Sequence, residues 1–329
     1  MKFIRSIKTY KLYQTKIYLS DVDNQFSITD NDLNIKYRSK ELGIFPNFFS
    51  SDKYIANGYG KTFCLSQNSF IELGNKYSNI INDIGIEYRN YNGVSHDTTL
   101  FHLPEEKQIL KEWLPNSIYH IQDQYWCNDT KEDFKLIDVE RKEILWAIPQ
   151  PEVVKPYGYN GLTNIKKVLG IYKGNLWLQL PDSRIRSIEL ETGKINNEIE
   201  HFYFSAISEG IFLSQIGRII IFHYNIYAEY SLENNEFIID KIISNENQLI
   251  IRNVLFREND MQLYFTGNKD NSFEPNVYGI FNKETFAFDF IGEGVAENGW
   301  FYQSPQVNDE LFTILDSKGN LIIHKMQDI

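Results

Sequence analysis

The sequence predicts an all-β protein, a single β-propeller of four-stranded antiparallel blades, on three observations. The 329 residues hold 43 isoleucines but only 6 alanines, a balance that opposes helix and favours β-branched and aromatic strands. A hairpin of alternating apolar and polar residues recurs along the chain, its turns separated by about 33 to 51 residues, near the spacing of four-stranded blades. A chain so rich in strands must close on itself or leave edges unpaired, and radial repetition solves that problem.

The hairpins follow in chain order. The first is residues 25–37 (QFSITDNDLNIKY), the second 61–73 (KTFCLSQNSFIEL) and the third 98–113 (TTLFHLPEEKQILKEW). The fourth, residues 134–146, is the clearest, running from Phe134 through Leu136, Ile137 and Asp138 to Trp146. In the fifth, residues 184–195, Thr192-Gly193 supplies a turn residue that tolerates positive φ. Then come residues 227–241 (YAEYSLENNEFIIDK), 276–290 (NVYGIFNKETFAFDF) and 311–325 (LFTILDSKGNLIIHK). Each alternates with period two, as a half-buried antiparallel strand requires. Short β-like runs between them, such as 174–179 and 261–266, supply the inner strands. Seven blades are expected, with residues 311–325 as the inner hairpin of a blade whose outer hairpin is 25–37. The first forty residues look too short for a closing strand and a full blade together; eight blades is the alternative. Either count fills residues 1–329 as one domain.

Residues 187–194 (SIELETGK) and the stretch from Leu136 to Trp146 resemble the repeats of quinoprotein-like (PQQ-like) propellers. Those repeats read as an apolar alternation, an Asp-containing turn, Thr-Gly-Lys, and a strand ending near Trp. The resemblance extends more loosely to WD-like propellers, although no Trp-Asp pair occurs here. It implies architecture and carries no quinone chemistry with it, since one fold hosts many functions; no cofactor is expected.

The net charge of −11, from 44 acidic and 33 basic residues, repels a phosphate backbone unless basic groups gather on one face. The densest basic patches, Lys166-Lys167 and Arg184 with Arg186, are short and lie beside acidic residues, so no nucleic-acid partner is expected. The first twenty residues lack an apolar core of signal-peptide length. The longest apolar run, residues 217–222, falls far short of the about 20 residues a membrane-spanning helix needs. Cys64 and Cys127, widely separated, read as buried thiols in a reducing, cytoplasmic compartment. No membrane contact is expected, and the chain reads as a monomer.

Several stretches echo catalytic or metal motifs. Gly58-Tyr59-Gly60-Lys61-Thr62 ends like a phosphate-binding loop, but Ile55 stands where the first Gly belongs and a strand follows, which points to a hairpin turn. Asp21, Asp23, Gln25 and Asp32 echo a calcium loop, but Phe26 occupies the Gly position, which points to a polar turn. His96 and His102, with Asp97 between them, read as surface residues rather than a zinc site. Asp289, Glu293 and Glu297 are the best carboxylate set and read as solvated loop acids. No catalytic residue and no metal site is predicted.

Two long connections stand out against the short turns. Residues 149–161 are rich in Pro and Gly yet carry Tyr157, Tyr159 and Asn160; residues 267–275 carry Asn271 and Phe273. Aromatic residues on long loops present large contact areas at low entropic cost. Tyr157, Tyr159, Asn160 and Phe273 are therefore the expected binding residues. The expected function is non-enzymatic protein binding, with a bacterial immunity or adaptor protein masking a basic partner as one concrete version. The competing readings are a carbohydrate-active hydrolase or lyase with carboxylates in a central channel, and a glycan-binding lectin.

Overall fold

The computed structural model describes residues 1–42, 46–49, 51–66, 69–81, 83–89, 96–103, 105–114, 118–130, 132–151, 165–205, 211–213, 215–243, 249–257, 261–270, 272–294 and 299–329. The described residues form eight four-stranded antiparallel sheets, the blades of a β-propeller. Blades 1 to 7 span residues 7–39, 47–72, 79–114, 118–149, 167–199, 211–242 and 250–293. Two compact units are distinguished: residues 1–76, 221–230 and 236–329 form one, residues 77–220 and 231–235 the other. Blades 1, 2, 7 and 8 lie in the first unit and blades 3, 4 and 5 in the second.

Blade 8 corrects the expected count of seven. Its strands Gln306–Val307, Leu311–Leu315 and Leu321–Lys325 come from the C-terminal region, and its fourth strand is Lys2–Ile4. Lys2, Phe3 and Ile4 pair antiparallel with Ile323, Ile322 and Leu321. Closure is thus three strands plus one rather than two plus two. Residues 25–37 instead form the outer hairpin of blade 1, with strands Phe26–Asp30 and Ile35–Ser39. A closing strand of three residues followed by a complete blade fits within the first forty positions because the strands are short and their turns tight.

Alternation is strict only at the outer strands. In blade 5 the strands Asn175–Gln179 and Ile185–Glu189 are buried almost throughout, whereas Ile195–Ile199 alternates between exposed and half-buried. Strands covered on both faces read as continuous apolar runs, and only the outermost strand keeps a solvated face. The same rule explains the apolar run 217–222, which supplies most of the buried strand Arg218–His223 of blade 6.

Many of the described turns are anchored by an Asp or Asn that accepts backbone N–H groups. Asp316 Oδ1 accepts from Lys318 N (2.9 Å) and Asn320 N (2.8 Å), with Gly319 at φ 81°. Asp30 does the same for Asp32 (3.0 Å) and Asn34 (2.8 Å). The Lys36 ammonium, 2.9 Å away, and the Asn34 amide hold the Asp30 carboxyl below the usual range. Asp21 accepts from Asp23 (3.0 Å) and Gln25 (2.8 Å), so the calcium-like stretch is an Asx-anchored turn. The phosphate-loop echo resolves likewise: Asn57 Oδ1 accepts from Tyr59 N and Lys61 N (both 3.1 Å) and joins strands Tyr54–Ala56 and Thr62–Ser66.

In the second unit, blade 4 docks on blade 5 through Trp146. Its indole Nε1 donates to the Leu190 carbonyl at 2.7 Å, and its ring lies over Gly193. A Cβ at Gly193 would sit 2.8 Å from the ring, at a φ of 71° that L side chains rarely adopt. Around this contact Cys127, Phe134, Leu136, Leu176, Leu178 and Ile188 form a core from which solvent is excluded. Cys127 is buried as expected; Cys64 is half-buried, and both are free thiols.

In the first unit, blade 7 meets blade 8 through a buried polar pair, Tyr278 Oη to His324 Nε2 at 2.9 Å. Desolvation pushes the His324 pKa down to about 4, and burial raises that of Tyr278 to about 12. Histidine in the unfolded chain protonates near pH 6.5, so the neutral buried ring favours folding above that pH and loses this effect as pH falls toward 4. Lowering the pH from 7.5 to 5 is expected to cost about 2 kcal/mol through this one group. Urea denaturation at both pH values checks it: His324→Gln should remove that part of the difference, and an undiminished difference would refute the assignment.

Candidate functional site

The site forms on the connection between strands Gln262–Asn268 and Val277–Asn282 of blade 7, longer than the Asx-anchored turns elsewhere. Its base is rigid. The Asn268 side chain is buried; its amide donates to the Ser272 carbonyl (2.7 Å) while its oxygen accepts from Arg252 Nε (3.0 Å). Asn276 Oδ1 accepts from Lys269 N (2.8 Å) and Asn276 Nδ2 donates to the Lys269 carbonyl (3.3 Å), a two-way clamp across the loop mouth. Ser272 N donates to the Lys269 carbonyl (3.1 Å), and Ser272 Oγ to the Glu274 carbonyl (2.8 Å). Pro275 fixes the exit, its carbonyl accepting from Phe301 N at 2.8 Å.

On this braced turn Phe273 is 96% exposed. Fully burying a Phe side chain is worth about 1.5–3 kcal/mol, and the fold leaves that unused. The neighbouring segment adds Tyr302, 58% exposed, and a half-buried Trp300 whose backbone N–H donates to Ser317 Oγ at 3.1 Å. Below the turn lies a cavity of about 270 Å³ lined by Lys269, Asp270, Asn276, Glu293, Gly294, Gly299 and Trp300. Lys269 Nζ lies 2.6 Å from Glu293 Oε1, and this carboxylate raises the lysine's pKa. The arrangement joins an apolar projection to a polar, hydrogen-bonding recess with a tryptophan on its rim. It suits recognition of a surface more than bond chemistry.

Of the expected binding residues, Phe273 is where the sequence placed it, in an exposed loop. Tyr157, Tyr159 and Asn160 lie outside the described residues, as do Asn271 and Glu297. Asp289 accepts from Gln262 Nε2 (3.0 Å) and Asn282 Nδ2 (3.2 Å), so with Glu293 paired to Lys269 both described carboxylates of that set have partners. His96 and Asp97 begin the strand His96–His102, whose last residue bonds Glu105 through Nδ1 at 2.8 Å. Among the described residues no group of three His, Cys, Asp or Glu side chains is arranged to hold a metal ion. Nor, among the described residues, is any helix long and apolar enough to cross a membrane. Sequence reasoning missed Lys269, Asp270, Trp300 and Tyr302. Trp300 follows Gly299, a dipeptide that marks a break, but its closeness to residue 275 rests on a hydrogen bond between segments remote in sequence.

No protein-family model matches the chain, and no curated protein matches it. Solved structures do. BamB from Moraxella catarrhalis is 11% identical, with 99% of each chain covered and a TM-score of 0.59. Sqt1 from Saccharomyces cerevisiae is 11% identical over 98% of this chain and 97% of its own, TM-score 0.58. The β-propeller domain of Cps50 (Swd1) from Myceliophthora thermophila is 12% identical over 99% of each chain, TM-score 0.51. At such identity the likeness is one of fold, that of a β-propeller.

Proposed function

We propose that this β-propeller is a non-enzymatic binding protein that engages a protein partner through its loops, with Phe273 as the anchor. One observation carries the reading: a phenylalanine 96% exposed at the tip of a turn braced by buried Asn268 and the Asn276 clamp. Aromatic anchors presented rigidly contribute most where they enter a desolvated pocket on the partner. The net charge of −11 favours a basic partner by long-range steering. The concrete version is an adaptor or immunity protein, acting as a monomer in the cytoplasm, that masks a basic toxin or enzyme.

A photo-crosslinking residue placed at position 273 in cells should yield one dominant adduct with a basic protein, and the same residue at Tyr59 should not. With that protein in hand, Phe273→Asp is expected to weaken binding by about 2 kcal/mol or more, while stability changes by less than about 0.5 kcal/mol because the side chain is almost wholly exposed. No adduct at 273, or unchanged binding by Phe273→Asp, defeats the proposal.

A further inference from the structure

The two basic doublets of this acidic chain have opposite environments. Arg184 is bonded to Asp182 (2.7 Å) and Glu198 (2.5 Å), and Arg186, 9% exposed, also pairs with Glu198. That patch is neutralised within the fold. Lys166 and Lys167 instead line a cavity of about 330 Å³ together with His120, Asp129, Ile165 and Val168. The cavity lies in the second unit, where the first strand of blade 5, Lys167–Tyr172, runs beside the first strand of blade 4, Ile118–Gln122.

Its lining carries both signs of charge. Among the described residues Lys166 has no ion pair; it stands exposed at the cavity, and partial burial lowers its pKa. Its ammonium is thus an accessible cation with no counter-ion among the described residues. Opposite in character is Asp129, 7% exposed and held in place by Gln150, whose Nε2 donates to Asp129 Oδ1 at 2.6 Å. The same amide donates to the carbonyls of Thr130 (2.6 Å) and Asp133 (3.1 Å), which immobilises the base of the cavity. Gln150 Oε1, on a residue 3% exposed, has no hydrogen-bond partner among the described residues, and a buried amide oxygen without a donor is costly. His120 is fixed by a 3.0 Å bond from Nε2 to the Asp123 carbonyl and by edge contact with Trp126 at 5.3 Å. Ile165 and Val168 supply an apolar wall.

A recess near the lower end of small-ligand volumes, about 300 Å³, lined by an exposed cation and a fixed carboxylate, suits a ligand with one anionic group and several donors. We propose that this cavity binds a small polyhydroxylated anion, a sugar phosphate or sugar acid, whose oxyanion pairs with Lys166 and whose hydroxyls donate to Asp129. The proposal stands apart from the Phe273 surface, which lies in the other unit.

Isothermal titration of the full chain with glucose 6-phosphate, glucuronate, glucose and inorganic phosphate tests it. Saturable binding of glucose 6-phosphate or glucuronate is expected, the stronger of the two naming the oxyanion, with glucose and inorganic phosphate each weaker. Lys166→Ala should weaken that binding about tenfold or more, the loss of one charge-assisted hydrogen bond, and Lys166→Arg should retain most of it. Asp129→Asn should weaken it with the circular dichroism spectrum unchanged, and Arg184→Ala should leave it intact. Absence of saturation by both sugar anions, equal binding of glucose, or an affinity untouched by Lys166→Ala overturns the assignment.

Discussion

Replacing Trp146 by alanine is expected to destabilise the protein by about 3–5 kcal/mol, the usual range for removing a large buried aromatic. Three contributions are lost together. The indole fills a core shared with Phe134, at a ring-centroid distance of 6.2 Å. Its Nε1 satisfies the Leu190 carbonyl at 2.7 Å, and a buried acceptor without its donor costs about 1–3 kcal/mol. Its ring also covers Gly193, whose left-handed turn at φ 71° shapes the hairpin of blade 5. Trp146→Phe keeps most of the packing and should cost less, but it also lacks the indole N–H, so its loss reports mainly the hydrogen bond to Leu190 and the further loss in Trp146→Ala reports the packing. Gly193→Ala attacks the same contact from the other side, through a Cβ 2.8 Å from the ring. Urea midpoints for the three variants check the argument, and a midpoint for Trp146→Ala within experimental error of wild type would refute it.

Deleting residues 1–4 should cost about 3 kcal/mol and make the protein self-associate. The deletion removes the ladder from Lys2, Phe3 and Ile4 to Ile323, Ile322 and Leu321, worth about 1 kcal/mol per hydrogen bond, together with the packing of Ile4 beside Ile7, Tyr10 and Leu321. It also uncovers the edge of Leu321–Lys325, a strand buried over its first four residues. An unpaired apolar edge is a template for pairing with another chain. Denaturation together with sedimentation reads both effects. A monomer of unchanged stability would show that Lys2–Ile4 contributes nothing to blade 8, as a closure by residues 25–37 would require.

Much of the fold was legible because the signal was local. Seven of the eight predicted hairpins are the third and fourth strands of their blades, and the fourth strand is where alternation survives, as in Ile195–Ile199 and Glu236–Ile242. The last hairpin, residues 311–325, looked like the others but comprises the second and third strands of blade 8. Its outer strand lies at the other end of the chain, where three residues carry too little pattern to declare a strand. The turns were legible too: Asp30, Asn57 and Asp316 capture nearby N–H groups, an interaction set by sequence spacing alone. The candidate site was half legible. Phe273 was visible as an aromatic in a long loop, whereas Trp300 and Tyr302 join it through contacts that spacing does not encode. The cavity at Lys166 shows the same limit, since His120 and Asp129 meet it from blade 4.

The sequence by itself determined the all-β class, the repeating hairpin, the polar turns and an acidic chain with two long aromatic-bearing loops. Period, turn chemistry and composition act between residues close in the chain, so they are written in its order. Only the tertiary structure decided the number of blades, the pairing of Lys2–Ile4 with Leu321–Lys325, and which charges stand unpaired. Arg184 and Lys166 look alike as residues in a row. They differ because one folds against Glu198 and the other against a cavity, and burial and pairing are properties of that packing.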